Sequence, residues 1–425
     1  MGQAGALDRL SAAQLAADFA ALTALGGRLV GSPSEAAACA WIEQRLSRIP
    51  AAKIAAHHFP YRSWASAECS LELIERGGAR PVASHPLYWS GATPPDGLEA
   101  ELVDVGRGNE EEFRNCAAAL PGRIAMVRHE YPFGTQTIHR RVKYNRSREN
   151  GAAGFVIVNN LPGELLVTGS CGQDSPDNIP GVGVSRESGA QLGAADAKVR
   201  LRITVQRRDA TGTNWIAEIP GATAEWVVVC AHYDGHNLAD SAFDNATGVV
   251  SALAVFESLQ AVVPTRRRGL RLVLFTAEES GLLGSREYVR SLGEVERRRI
   301  AAVINLDTLA GSRRLTCLTS EFDELAGFAA EAGRAAGVEF GCHRPLLRNS
   351  DHFNFAQAGI PALRLVAGFD EPDAGARLLL TGGDRREAVS LDELRHGTMA
   401  AGALVRAALD WPGLIAAHKP AATGS

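Results

Sequence analysis

The chain has 425 residues and a formal net charge of −4. Because this length exceeds what one hydrophobic core usually serves, we expect two domains. The slightly negative net charge is unlike that of proteins that bind nucleic acid or acidic membranes through clusters of basic residues. No apolar run is long enough to span a membrane.

The cysteines and the N-terminus bear on the compartment. Seven cysteines are scattered along the chain without a Cys-x-x-Cys pair. An odd count without a framework favours reduced thiols in a cytosolic-type compartment. The N-terminus lacks a basic region followed by a long apolar core, so no secretory signal is visible. We therefore expect a cytoplasmic protein, exported only if a signal has been removed.

The N-terminal third reads as helices followed by short strands. Apolar spacing predicts helix from residue 7, a break at Gly26-Gly27 and a second helix around 36–46. Strand-like stretches near 53–60 and 69–75 follow. From about residue 86 the character changes to short β segments between glycine turns, at 102–105, 122–127, 154–158 and 181–184. We interpret residues 86–205 as a β-rich insertion within one discontinuous domain, residues 1–85 and 206–425.

After residue 206, strands and helices alternate. Strands are predicted near 213–219, 225–232, 270–276, 301–307 and 361–366. Helices are predicted near 246–260, 281–291, 322–336 and 392–410. This rhythm indicates an α/β fold with a mixed, mostly parallel sheet flanked by helices. Such sheets place their ligands at the carboxyl ends of the strands.

Acidic and imidazole groups stand at those strand ends. His232 ends a run of β-branched residues, and the Asp234 carboxylate is placed to accept its free ring N–H and fix its tautomer. Asp244 opens a turn that runs into a helix, which suits a bridging ligand. Asp307 follows another strand. Imidazole nitrogen and carboxylate oxygen are the donors that catalytic zinc takes.

Two adjacent glutamates add a second kind of chemistry. Neighbouring residues at a strand end point to opposite sides, so Glu278 and Glu279 are not expected to share one role. One can bind metal while the other faces water as a general base. Two carboxylates side by side at a buried strand end are unfavourable without a nearby cation, and zinc supplies that charge.

These residues resemble peptidase family M28, zinc peptidases that include aminopeptidases and glutamate carboxypeptidase relatives. The resemblance covers nearly the whole chain and rests on His232-Tyr-Asp234, Asp244-Asn245, Phe275 to Ser285, Asn305-Leu-Asp307 and Ser350-Asp351-His352. It implies two zinc ions bridged by Asp244, and a cis peptide bond after that residue. His232 and Asp307 would bind one ion, and Glu279 the other. Glu278 would be the base that activates a metal-bound water.

The chain departs from the family pattern at the last ligand of the second ion. Relatives take it from a His-Thr/Ser-x-x-Asp segment, and the aligned stretch here is Leu380-Thr-Gly-Gly-Asp384. Leu380 thus stands where the histidine would be. Either His352, the nearest candidate by sequence context, completes the site, or the second ion is weak or absent. A pocket or structural role for His352 is equally open.

Three further residues near these motifs keep a structural and a functional interpretation. Arg348 and Arg364 flank the Ser-Asp-His segment, where they either recognise a substrate carboxylate or serve the fold. His236 is interpreted as a loop residue that can also touch substrate.

The insertion resembles a protease-associated domain. The phrases that carry this resemblance begin at Leu120, Asn150 and Ile179. Such a domain would cap or narrow the cleft and so shape which substrates enter. An unrelated small β-rich insertion is the alternative.

The resemblance implies a zinc-dependent metallopeptidase that cleaves amide bonds, with an aminopeptidase that removes N-terminal residues as the leading subtype. A carboxypeptidase or a small-molecule amidohydrolase on the same core is the alternative, followed by a glutaminyl cyclase and a non-catalytic receptor-like protein. The expected partner is a peptide or amide substrate, without nucleic acid or a membrane span, and a homo-oligomer stays open.

Overall fold

The computed structural model describes residues 10–193 and 197–413, so the predicted start of the first helix at residues 7–9 lies outside them. The described helices are α1 (Ala12–Thr23), α2 (Pro33–Leu46), α3 (Glu110–Cys116), α4 (Arg140–Glu149), α5 (Arg186–Leu192), α6 (Thr247–Leu259), α7 (Leu283–Ser291), α8 (Glu294–Arg299), α9 (Asp323–Ala336), α10 (His352–Gln357) and α11 (Leu391–Ala408). In this part of the chain, none of the helices is long and apolar enough to cross a bilayer.

The strands are β1 (Lys53–Glu75), β2 (Gly78–Val82), β3 (Ser84–Pro86), β4 (Leu98–Gly106), β5 (Ile124–Arg128), β6 (Gly154–Val158), β7 (Gly181–Val184), β8 (Lys198–Ile219), β9 (Trp226–His232), β10 (Gly269–Phe275), β11 (Ile300–Leu306), β12 (Leu315–Leu318), β13 (Phe340–His343) and β14 (Ala362–Ala367). They are joined by hydrogen bonds in the order β13-β12-β14-β11-β9-β10-β8-β4-β5-β6-β7-β3, and β1 pairs with β2 and β8.

The first half of this sheet, from β13 to β8 in the order just given, is mixed and mostly parallel, as predicted. Strands β10, β9, β11 and β14 run parallel to one another. Strands β8 and β12 run antiparallel to β10 and β14. Because both faces of the parallel strands are covered by helices, these strands are nearly continuous apolar runs rather than alternating ones. Helices α1, α6, α9 and α11 contribute to the larger core, and α7 and α10 to the other.

Strands β1 and β8 form a long antiparallel ribbon of 23 and 22 residues. The ladder runs from the pair Lys53–Glu218 to the pair Ile74–Lys198. One end of β8 pairs with β10, and its other end pairs with β4. The strands predicted at 53–60 and 69–75 are therefore one element, because the polar residues between them continue the ladder along a largely exposed surface.

The second half of the sheet lies within the predicted insertion. Strands β4, β5, β6 and β7 are parallel, and β3 pairs antiparallel to β7 at the edge. The β segments were predicted from the sequence, but helices α3, α4 and α5 were not. Helix α4 begins directly after His139, whose ring nitrogen Nδ1 accepts the Arg141 backbone N–H at 3.1 Å. This cap fixes the start of α4, where two arginines stand.

The second half docks over the carboxyl edge of the parallel strands. The Tyr131 hydroxyl donates to the Gly368 carbonyl at 2.5 Å, and the Tyr88 hydroxyl donates to the Asn237 side-chain oxygen at 2.6 Å. Backbone hydrogen bonds also join residues 166–168 to residues 380–382. These contacts enclose a cleft between the two halves, at the edge where parallel α/β sheets hold their ligands.

Candidate metal centre

Three predicted ligands meet at this edge. His232 is the last residue of β9, and Asp307 directly follows β11, the parallel neighbour of β9. Asp244 lies in the turn before α6, and its peptide bond to Asn245 is cis, as the resemblance implied. His232 Nε2 lies 3.1 Å from Asp244 Oδ1 and 3.7 Å from Asp307 Oδ1. Among the residues that the structure describes, these three form the one group of possible ligands whose donor atoms all lie within 4.8 Å of one another.

The donor set fits a zinc ion. His232 is 1% exposed, and its Nε2 has no hydrogen-bond partner within the described chain. A buried nitrogen without a partner is costly unless something else binds it. Imidazole nitrogen and carboxylate oxygen are both zinc donors, and three protein ligands leave the fourth position that a catalytic zinc keeps for water or substrate.

Asp234 approaches His232 more closely with its backbone oxygen than with its carboxylate. His232 Nδ1 lies 3.1 Å from the Asp234 backbone oxygen, but 3.6 Å from its carboxylate. The carboxylate instead accepts the backbone N–H groups of Glu278 at 3.0 Å and Glu279 at 3.2 Å. The backbone carbonyl is therefore placed to fix the histidine tautomer, and the fully buried carboxylate positions the two glutamates.

Arg364 pairs with a ligand. Its Nη2 lies 3.2 Å from Asp307 Oδ2, and its guanidinium stacks 4.6 Å from the centre of the Phe133 ring. Burial by itself would raise the pKa of Asp307, but the charge of the Arg364 guanidinium holds that pKa below its ordinary value. Asp307 is therefore kept ionised, as a metal ligand must be.

Asp384 supports the Asp244 turn from below the surface. The fully buried Asp384 carboxylate accepts the Phe243 N–H at 2.7 Å and the Asp244 N–H at 3.4 Å. His236 Nε2 lies 3.2 Å from the same carboxylate. His236 thus serves the fold of this turn.

Glu278 and Glu279 line the cleft together with Asp244 and Asp307. Burial raises the pKa of both glutamates well above the ordinary value, and nearby carboxylates add to the effect. Glu279 Oε1 is buried, and no described residue hydrogen-bonds to it. A cluster of buried carboxylates of this kind requires cations nearby.

His352 lies outside the ligand group. It begins α10, which packs against α7, β11 and β14, and its side chain is fully buried away from the cleft lining. Burial lowers its pKa to about 3, and neither ring nitrogen has a partner among the described residues. The geometry gives no support to His352 as a ligand, whereas Leu380 does line the cleft.

The opposite wall of the cleft comes from the insertion, and the sequence analysis missed it. His139, Arg140 and Arg141 line it at the start of α4. The basic stretch 140–148 is visible in the sequence, but its spacing does not reveal that its first turn faces a metal centre. Only the docking of the insertion places these side chains there.

Known proteins share this organisation. Residues 214–404 match the model of peptidase family M28, and residues 98–192 match that of the PA domain. Aminopeptidase YwaD of Bacillus subtilis is 26% identical over 395 residues, which cover 91% of this chain and 81% of that protein. Probable leucine aminopeptidase 2 of Arthroderma benhamiae is 28% identical over 352 residues, which cover 79% and 67%.

The fold recurs in solved structures. BSAP, described as a zinc aminopeptidase from Bacillus subtilis, superposes with a TM-score of 0.74 at 23% identity, over 95% of this chain and 96% of that one. At this identity the likeness concerns the fold. The two matched segments agree with the shared architecture and the ligand group at the strand ends: the chain contains a peptidase family M28 region at residues 214–404 and a PA domain at residues 98–192.

Proposed function

We propose that the chain is a zinc-dependent aminopeptidase, which hydrolyses the peptide bond after an N-terminal residue. The observation that carries this proposal is the convergence of His232, Asp244 and Asp307 beside the cleft-lining Glu278. The relatives named above as aminopeptidases support the subtype.

A zinc ion held by His232, Asp244 and Asp307 would acidify water and polarise the substrate carbonyl. Glu278 takes the proton from the attacking water and returns it to the leaving amine as the bond breaks. Asp234 holds the backbone of Glu278 in place through its 3.0 Å hydrogen bond. Arg364 keeps the Asp307 carboxylate ionised and oriented from the side away from His232.

A second candidate is a hydrolase of substrates that carry a carboxylate near the scissile bond, such as a carboxypeptidase. Two arginines in the cleft lining favour it. Burial lowers the pKa of Arg141 to about 10, and the charge of Arg348 adds to this effect. Within the described chain neither guanidinium makes an ion pair, although Arg348 stacks 5.5 Å from the centre of the Phe353 ring. Two cations in one cleft that have no carboxylate partner among the described residues suit an anionic group of the substrate.

Activity against two substrate panels separates the candidates. Zinc-loaded wild type would be assayed with aminoacyl-p-nitroanilides and with N-blocked peptides that have free C-termini. Turnover of the free-amine panel supports the aminopeptidase. Turnover of blocked peptides alone, lost in an Arg141→Met variant, supports the second candidate. No turnover of either panel by a zinc-loaded, folded chain would contradict both.

A further inference from the structure

The cleft has an acidic side that the ligand group leaves unused. Glu279 is 6% exposed and lines the cleft, yet its carboxylate lies outside the group of His232, Asp244 and Asp307. Its Oε1 has no hydrogen-bond partner among the described residues. Leu380, which lines the same cleft, offers only an aliphatic side chain. A second metal ion beside Glu279 would therefore find carboxylates but no imidazole donor from Leu380.

The protein places a positively charged side chain, Arg140, on the same side of the cleft as Glu279. Arg140 is 7% exposed and lines the cleft with Glu279 and Asp244. Its Nε donates to the Ser170 carbonyl at 3.0 Å, and its Nη1 donates to the Thr168 carbonyl at 3.2 Å. Burial lowers the pKa of Arg140, while the carboxylates of Glu279 and Asp244 act in the opposite direction.

The loop around Arg140 is shaped to the guanidinium. Gly169 lies between its two acceptor residues with φ of 123°, and a Cβ atom on Gly169 would come within 2.2 Å of Arg140 Cζ. The same loop is fixed to the Leu380 segment, because the Thr168 N–H donates to the Leu380 carbonyl at 2.8 Å. The position of the guanidinium and that of Leu380 are thus set by one backbone connection.

Charge balance points the same way. The cleft lining contains four arginines (Arg140, Arg141, Arg348 and Arg364) and four acidic residues (Asp244, Glu278, Glu279 and Asp307). One divalent ion already makes this lining cationic. A second divalent ion would have to bind against this net positive charge. In the low dielectric of a buried site, like charges repel strongly.

We propose that this chain holds a single metal ion, at His232, Asp244 and Asp307, and that Arg140 of the PA domain supplies the second positive charge beside Glu279. The inference rests on the proposed function only for the identity of the metal. A guanidinium donates hydrogen bonds and has no site for an amine lone pair. This side of the cleft therefore selects oxygen acceptors of the substrate.

The test is the number of ions bound, which is independent of turnover. Zn²⁺ would be titrated into the metal-free full chain by calorimetry, and the saturated protein would be weighed by native mass spectrometry. We expect one ion in wild type and one in Leu380→His, because the guanidinium remains. Arg140→Met combined with Leu380→His removes the competing charge and supplies a donor, so we expect two. Arg148→Met combined with Leu380→His, which removes a charge from the same helix outside the cleft lining, should bind one.

Two ions in wild type would overturn the inference, whatever the double variant does. A properly folded Arg140→Met, Leu380→His chain that still binds one ion would contradict the role given to Arg140. Glu279→Gln provides a further measurement: one ion with near wild-type affinity supports a non-ligand Glu279, and loss of that ion opposes it. One ion without aminopeptidase activity would refute the proposed function alone, and two ions with activity would refute this inference alone.

Discussion

The two walls of the cleft are built from different material. The wall formed by the catalytic strands is acidic, and each of its groups follows a buried strand or a turn at the carboxyl edge of one sheet. The wall formed by the PA domain is basic, and its groups stand on the first turn of α4. The acidic wall can hold a cation by itself, whereas the basic wall acquires a function only when it is docked. We therefore expect the two regions to divide the work, with the catalytic strands supplying the chemistry and the PA domain shaping selectivity.

Removal of the metal from the acidic wall should have the largest effect, a complete loss of turnover. Dialysis against a chelator is expected to abolish turnover, and added Zn²⁺ to restore it, because the proposed mechanism depends on the metal to acidify water and to polarise the substrate carbonyl. At a metal concentration about 100 times Kd, binding stabilises a fold by about 2.7 kcal/mol. Thermal melts with and without Zn²⁺ measure this effect. Full activity in a verified metal-free chain would refute the metal assignment.

Replacement of the base Glu278 should leave the metal bound but should nearly stop turnover. Glu278→Gln is expected to lower kcat by about 10²–10⁴-fold, since the amide cannot take a proton from water. Metal content, read by mass spectrometry, should stay at the wild-type value. Glu111→Gln, on the exposed surface of α3, is the matched control and should change neither quantity. A Glu278→Gln enzyme with normal kcat would assign the base elsewhere.

The support behind the acidic wall should matter less than the base itself. Asp234→Asn leaves one oxygen to serve two backbone N–H groups, those of Glu278 and Glu279. We expect turnover to fall about 10–100-fold, the usual effect of losing a group that orients a metal site. Steady-state kinetics would be compared with Asp209→Asn, whose side chain is 91% exposed. Equal activities of the two variants would show that the carboxylate is dispensable.

The smallest expected effect concerns the basic wall. Gly169→Ala places a methyl group against the Arg140 guanidinium and strains a left-handed backbone position, which costs about 1–3 kcal/mol of folding free energy. Gly163→Ala is the matched control, because Gly163 has φ of 100° but nothing within 4 Å of an added Cβ. Chemical unfolding measures both. If Gly163→Ala loses as much stability, the effect is backbone strain and not contact with Arg140.

The residues of the acidic wall could be predicted from the sequence because each one is placed by the strand or turn next to it. His232 and Asp307 end apolar strands, and parallel strands bring their carboxyl ends to one edge whatever else the chain does. Arg140 could not be placed in this way, because its position depends on contacts between residues 166–168 and 380–382, which are more than 200 positions apart. His352 shows the converse limit: it neighbours a ligand motif in sequence, but it is fully buried at the start of the short helix α10 and lies outside the group of three possible ligands.

The joined ribbon of β1 and β8 has a consequence for modularity. Excision of residues 86–205 would remove the first eight residues of β8, from Lys198 to Val205, which pair with β1 between Ser66 and Ile74. That stretch of β1 would become an open edge with free N–H and C=O groups, which invites pairing with other chains. The PA domain therefore cannot be removed without damage to the rest of the fold. A shortened protein would lose the cover over its cleft and gain an exposed strand edge that is prone to aggregation.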